Sequence, residues 1–129
     1  MNYREISSDQ INRPQPPPTD GVPDSDAWRD AILFAEGYFE ASGADPELAK
    51  LVLQDMAVRR EIGITKYDCP LQYATNRDNV IDGYQETLDG FVYDSAAIDM
   101  TSALRPEQRA IVRQIRQLRL KQLLLARSL

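Results

Sequence analysis

The chain has no histidine and a single cysteine, Cys69, among its 129 residues. The lack of imidazole removes most zinc schemes and the commonest general base near neutral pH. One thiol allows no intrachain disulfide, a usage that fits a reducing compartment and makes the cytoplasm the expected location. The opening residues Met-Asn-Tyr-Arg-Glu-Ile-Ser-Ser carry no apolar run of the secretory kind, and no segment approaches the roughly 20 apolar residues that span a bilayer. A soluble protein without a membrane partner is expected. At 43% hydrophobic, 129 residues suit one domain with its own core.

Charge is unevenly shared. Residues 1–102 hold eight basic and 19 acidic side chains, a balance of −11, whereas residues 103–129 hold seven basic and one acidic, a balance of +6. The acidic body argues against a nucleic-acid partner, and the basic end reads as a separate face. Such a face suits an acidic partner or a C-terminal helix docked on an acidic body.

The first 23 residues include Arg13-Pro14-Gln15-Pro16-Pro17-Pro18-Thr19-Asp20-Gly21-Val22-Pro23. Fixed proline angles and missing N–H groups oppose helix and central strand alike, so residues 1–23 are expected to be a flexible arm, with 24–129 a single all-helical domain. Asp24 or Ser25 is expected to cap a first helix through Trp28, Ala31, Ile32, Ala35, Tyr38 and Phe39, ending at Gly43. Asp45-Pro46-Glu47 opens a second helix that should end at Ile62 before Gly63. Its apolar positions cover more than half the wheel, which predicts a central helix with Asp55 and Arg59 inside the apolar arc, charges that need each other or a ligand. Gly63 to Thr75 reads as a loop. A third helix should run from a cap at Thr75 or Asn76 to Met100, and a fourth should start at Ser102 and Pro106. No alternating strand pattern is present, so the fold class is all-α.

On the third helix Asp78, Asp82, Glu86 and Asp89 fall at i, i+4, i+8 and i+11, within an arc of about 80° opposite an apolar face of Val80, Ile81, Tyr84, Leu88, Phe91 and Val92. A solvated acidic face is one reading. The other is a divalent cation relieving like-charge repulsion, and oxygen ligands without histidine favour Mg²⁺ or Mn²⁺.

The run Glu86-Thr87-Leu88-Asp89-Gly90-Phe91-Val92-Tyr93 resembles the E-x-x-D-x-x-x-Y helix of the all-α nucleoside triphosphate pyrophosphohydrolases, the MazG-like superfamily. Lys66-Tyr67-Asp68-Cys69-Pro70-Leu71 and Asn76-Arg77-Asp78 are similar to the loop and helix start of small bacteriophage members, so the likeness covers about residues 59–98. The resemblance implies a four-helix bundle, Mg²⁺ held by acids, and hydrolysis between the α- and β-phosphates of a nucleotide, in the host cytoplasm if the chain is phage-encoded. It makes Glu86 and Asp89 metal ligands and Asp82 a third ligand or a water-positioning base. Arg59, Lys66 and Arg77 become the cations for phosphate, and Tyr67 or Tyr73 the stacking surface for a base. The family's second acidic motif, E-E-x-x-E, has no counterpart on the preceding helix, which offers Glu47, Asp55 and Glu61; Glu36 and Glu40 on the first helix are the substitutes.

On the last helix Arg105, Arg109, Arg113, Arg116, Arg119, Lys121 and Arg127 surround an aliphatic stripe of Ile111, Ile115, Leu118 and Leu125. Self-association through this helix, as a dimer or tetramer, is the expected use. Three functions follow: a Mg²⁺-dependent nucleotide pyrophosphohydrolase, a protein that binds or sequesters a nucleotide or nucleotide signal without cleaving it, and a helical interaction module.

Overall fold

The computed structural model describes residues 7–12, 21–73, 78–100 and 103–129. All regular elements among them are helical: α1 (Ser8–Asn12), α2 (Ala27–Ser42), α3 (Pro46–Tyr67), α4 (Asn79–Met100) and α5 (Pro106–Arg127). None is long and apolar enough to cross a membrane. Their contacts group into two compact units, one holding α2 and α3, the other α1, α4 and α5.

In the first unit α2 and α3 form an antiparallel hairpin with a three-residue turn. Gly43 supplies the left-handed conformation that ends α2 (φ 69°), and its N–H returns to the Glu40 and Phe39 carbonyls. Asp45 then accepts from the N–H groups of Glu47 and Leu48, and Pro46 needs no partner in the first turn. The touching faces are narrow. Trp28, Ile32, Ala35 and Phe39 of α2 meet Ala49, Leu53, Met56 and Arg60 of α3, all half-buried at alternating three- and four-residue steps.

Several expected boundaries are corrected here. Asp26, not Asp24 or Ser25, caps α2 by accepting from Arg29 N–H, because tertiary contacts recruit it. Ser25 instead accepts from Tyr73 N–H and donates to the Val22 carbonyl, while Val22 and Ala27 N–H groups reach the Tyr73 and Leu71 carbonyls. The helix expected to stop before Gly63 continues to Tyr67 and ends at Asp68, in the left-handed region at φ 62°. An interior glycine weakens a helix by about 1 kcal/mol without terminating it. Lys66 and Tyr67 therefore sit in a last helical turn, not a loop. The breadth of the α3 apolar arc yields no buried centre: Leu48, Leu51, Val52, Val58 and Ile62 are all exposed. Asp55 and Arg59 are exposed as well, and the ion pair is made one residue on, by Arg60.

In the second unit α4 and α5 pack antiparallel, and α1 lies on α4. Residues 8–12 fall within the expected arm, yet they precede the proline run and form a short helix that Ser7 and Gln10 cap reciprocally. Gln85 ties it down by donating to the Gln10 and Ile11 carbonyls. Asp78 caps α4, accepting from Val80 and Ile81 N–H groups. The expected caps Thr75, Asn76 and Ser102, the phosphate candidate Arg77, and the prolines of 13–20 lie outside the described residues. Ile81 and Ile98 are buried on α4, with Gly90 between them.

Candidate functional site

The acids of α4 separate into those already engaged within the fold and those that are not. Asp78 is committed to the helix start. Asp82 is half-buried and engaged in an interaction of its own. Asp94, which the sequence did not single out, accepts from Arg119 Nε at 2.6 Å. Glu86, Asp89 and Asp99 are exposed and make no ion pair or side-chain hydrogen bond among the described residues; of these, Glu86 and Asp89 stand three residues apart on one side of α4. One helical turn brings their carboxylates to the same side.

Around Asp94 the inner face of α5 is unusual. Half-buried positions Arg109, Val112, Arg116, Arg119, Leu123 and Ala126 recur at threes and fours, so three arginines lie in the seam that faces α4. Arg109 donates to the Ile98 carbonyl, Arg116 reaches Ser95 Oγ at 3.5 Å, and Arg119 bonds Asp94. The Arg119 guanidinium occupies the space where a side chain at residue 90 would stand, which is why glycine is buried there. Much of the basic charge of the C-terminal segment is thus directed inward along α4. The arginines do not simply surround the aliphatic stripe; three of them form a contact face of their own.

The other site candidates lie on α3. Arg59 is exposed, and Lys66 Nζ stands 5.2 Å from the centre of the Tyr67 ring, a cation–π contact at the helix end. Tyr73 has a different occupation from base stacking. Its hydroxyl donates to Asp30 Oδ2 at 2.8 Å, and that hydrogen bond, reinforced by desolvation, raises its pKa. The substitutes Glu36 and Glu40 line an open groove of about 880 Å³ in the α2–α3 hairpin, together with Phe39, Lys50 and Leu53.

The strongest electrostatic pair in this unit is structural. Arg60 grips Asp26 through Nε at 3.0 Å and Nη2 at 2.7 Å, with Asp26 buried. The Arg60 hydrogen bond holds the Asp26 carboxyl below its ordinary range against the opposing cost of burial, and the Arg29 N–H adds to it. Arg60 is raised in turn, chiefly by Asp26. Sequence reading missed this pair, although three consecutive capping residues, Asp24-Ser25-Asp26, mark the region.

Among the described residues no group of three or more aspartate, glutamate, cysteine or histidine side chains gathers to hold a metal ion. Glu86 and Asp89 are two carboxylates, which fits the way Mg²⁺ binds through one or two acids with waters and substrate phosphates filling the remaining positions. No family model, no curated protein and no solved structure matches the chain.

Proposed function

We propose that the protein is a Mg²⁺-dependent nucleotide pyrophosphohydrolase, acting between the α- and β-phosphates of a nucleoside triphosphate, and that it self-associates through α5. The observation that carries the reading is the division of the α4 acids: Asp78 and Asp94 are committed to a cap and to Arg119, while Glu86 and Asp89 are left exposed on one side. The same two residues carry the resemblance to the MazG-like helix. Glu86 and Asp89 would hold the metal, which polarises phosphoryl oxygens and lowers the pKa of water when bound. Asp82 would orient the water. The same resemblance implies Arg59, Lys66 and Arg77 as the cations for phosphate and Tyr67 as the stacking surface for a base.

A panel of nucleoside triphosphates with Mg²⁺, read together for pyrophosphate release and thermal shift, tests this. Release that falls by about a hundredfold or more in Glu86→Gln and Asp89→Asn supports hydrolysis. A second reading, nucleotide sequestration without cleavage, is favoured because no third acid gathers with the pair among the described residues. Its signature is a nucleotide-dependent rise in melting temperature with no product. Neither release nor a shift with any nucleotide would sink both.

A further inference from the structure

The outer face of α5 carries a second seam. Ile111, Ile115, Leu118, Gln122 and Leu125 recur at alternating spacings of four and three, and Leu129 continues the series just past the helix. The apolar members within the helix are 57, 39, 59 and 69% exposed, and Leu129 is 66% exposed. On the helical wheel this seam stands about 120° from the arginine-bearing seam against α4. Strict alternation of four and three is the spacing of a helix packed lengthwise on another helix. The hairpin with α4 uses one such seam, and α5 has two.

We infer that the outer seam of α5 pairs with the same seam of a second copy, parallel and in register. The inference rests on α5 being the self-association element and adds the direction and alignment of the pairing. Ile115 and Gln122 take the a positions of a heptad, and Ile111, Leu118 and Leu125 the d positions. Ile115 at a followed by Leu118 at d is the combination that favours two parallel strands.

Gln122 decides the direction. Parallel layers set like against like, so two Gln122 amides face each other and each can donate and accept. The antiparallel alignment that matches the same apolar layers sets Gln122 against Leu118 and buries an amide without a partner. Rim charges agree. Antiparallel pairing brings Lys121 to Lys121, which parallel pairing avoids; Arg119 stays engaged with Asp94 in the other seam. From Ile111 to Leu125 the seam is about 21 Å long, too short for two isolated helices. Here α4 already holds each α5 in helical form, so pairing need not also order it.

Oxidative crosslinking in a Cys69→Ser background, which removes the exposed native thiol, reads the direction. The Ile115→Cys protein is expected to form a disulfide-linked dimer by itself, as is Leu125→Cys. Light scattering should show a dimer for the unaltered chain and a monomer for Leu118→Asp with unchanged helical circular dichroism. Crosslinking only when the Ile115→Cys and Leu125→Cys proteins are mixed would mean antiparallel pairing and overturn the inference while leaving self-association standing. A dimer that neither crosslinks nor responds to Leu118→Asp overturns it in the same way. A chain that remains monomeric overturns both. Should Leu118→Asp fail to fold, the crosslinking pattern decides alone.

Discussion

The α2–α3 and α4–α5 hairpins share a topology and differ in what holds them. The first is held by turn chemistry, a Gly43 stop, an Asp45 cap and Pro46 within three residues, with one ion pair at its open end. The second is held along its length by three arginines that reach a carboxylate, a hydroxyl and a backbone carbonyl. Turn chemistry acts locally and, Arg60 apart, leaves the charged side chains of α2 and α3 exposed. Arginine in a seam uses polar acceptors from the partner helix, which is why Asp94 is consumed while Glu86 and Asp89 on the same helix remain available.

The contrast within α4 breaks first. Exchanging Asp94 for asparagine should lower stability by about 1–2 kcal/mol, since the Arg119 side chain is only 33% exposed and keeps a weaker partner, while leaving nucleotide turnover unchanged per folded molecule. Glu86→Gln should do the reverse, losing about a hundredfold in turnover with an unchanged denaturation midpoint. Equal loss of activity in both variants would erase the distinction between spent and unspent acids.

Asp26 sharpens the other side. Its folded pKa lies below the ordinary 3.8, so its contribution is complete above that value and declines as pH falls through the lower folded value. Urea midpoints measured from pH 6 downward should therefore drop on the acid side. Asp26→Ala should cost about 2 kcal/mol at neutral pH, and Asp26→Asn, which keeps a capping oxygen, about half of that. An acid-side drop of the same size in Asp26→Asn would assign it to other carboxylates.

The smallest effects concern two glycines of the first hairpin. Gly63→Ala meets nothing within 4 Å inside a helix and should stabilise by about 0.5–1 kcal/mol. Gly43→Ala, at φ 69°, should destabilise by about 1 kcal/mol. Thermal melts of both should move in opposite directions.

What was legible in the sequence follows the reach of each cause. Gly43 and Asp45-Pro46-Glu47 act within four residues, and both were read correctly. The cap of α2 was missed because three adjacent residues are chemically competent and contacts with Arg60 and Leu71 choose among them. Gly63 misled because glycine punctuates chains often, whereas here Asp68 takes the left-handed position. Asp55 and Arg59 read as buried charges because a broad apolar arc does not say which edge touches α2, and the edge that does carries Arg60. The acidic stripe was visible as a pattern, but which of its members the fold would use depended on Arg119, a residue that reads as solvated surface.

Gly90 beneath Arg119 has a consequence for how this chain can vary. A methyl group at residue 90 would meet the Arg119 guanidinium, so that side chain must shift, at the expense of its geometry on Asp94, before Gly90→Ala gains in helix propensity. With Arg119→Ala made first, the same substitution should become favourable. Positions 90, 94 and 119 are therefore coupled, and a double-mutant cycle of Gly90→Ala and Arg119→Ala should return a non-zero interaction energy.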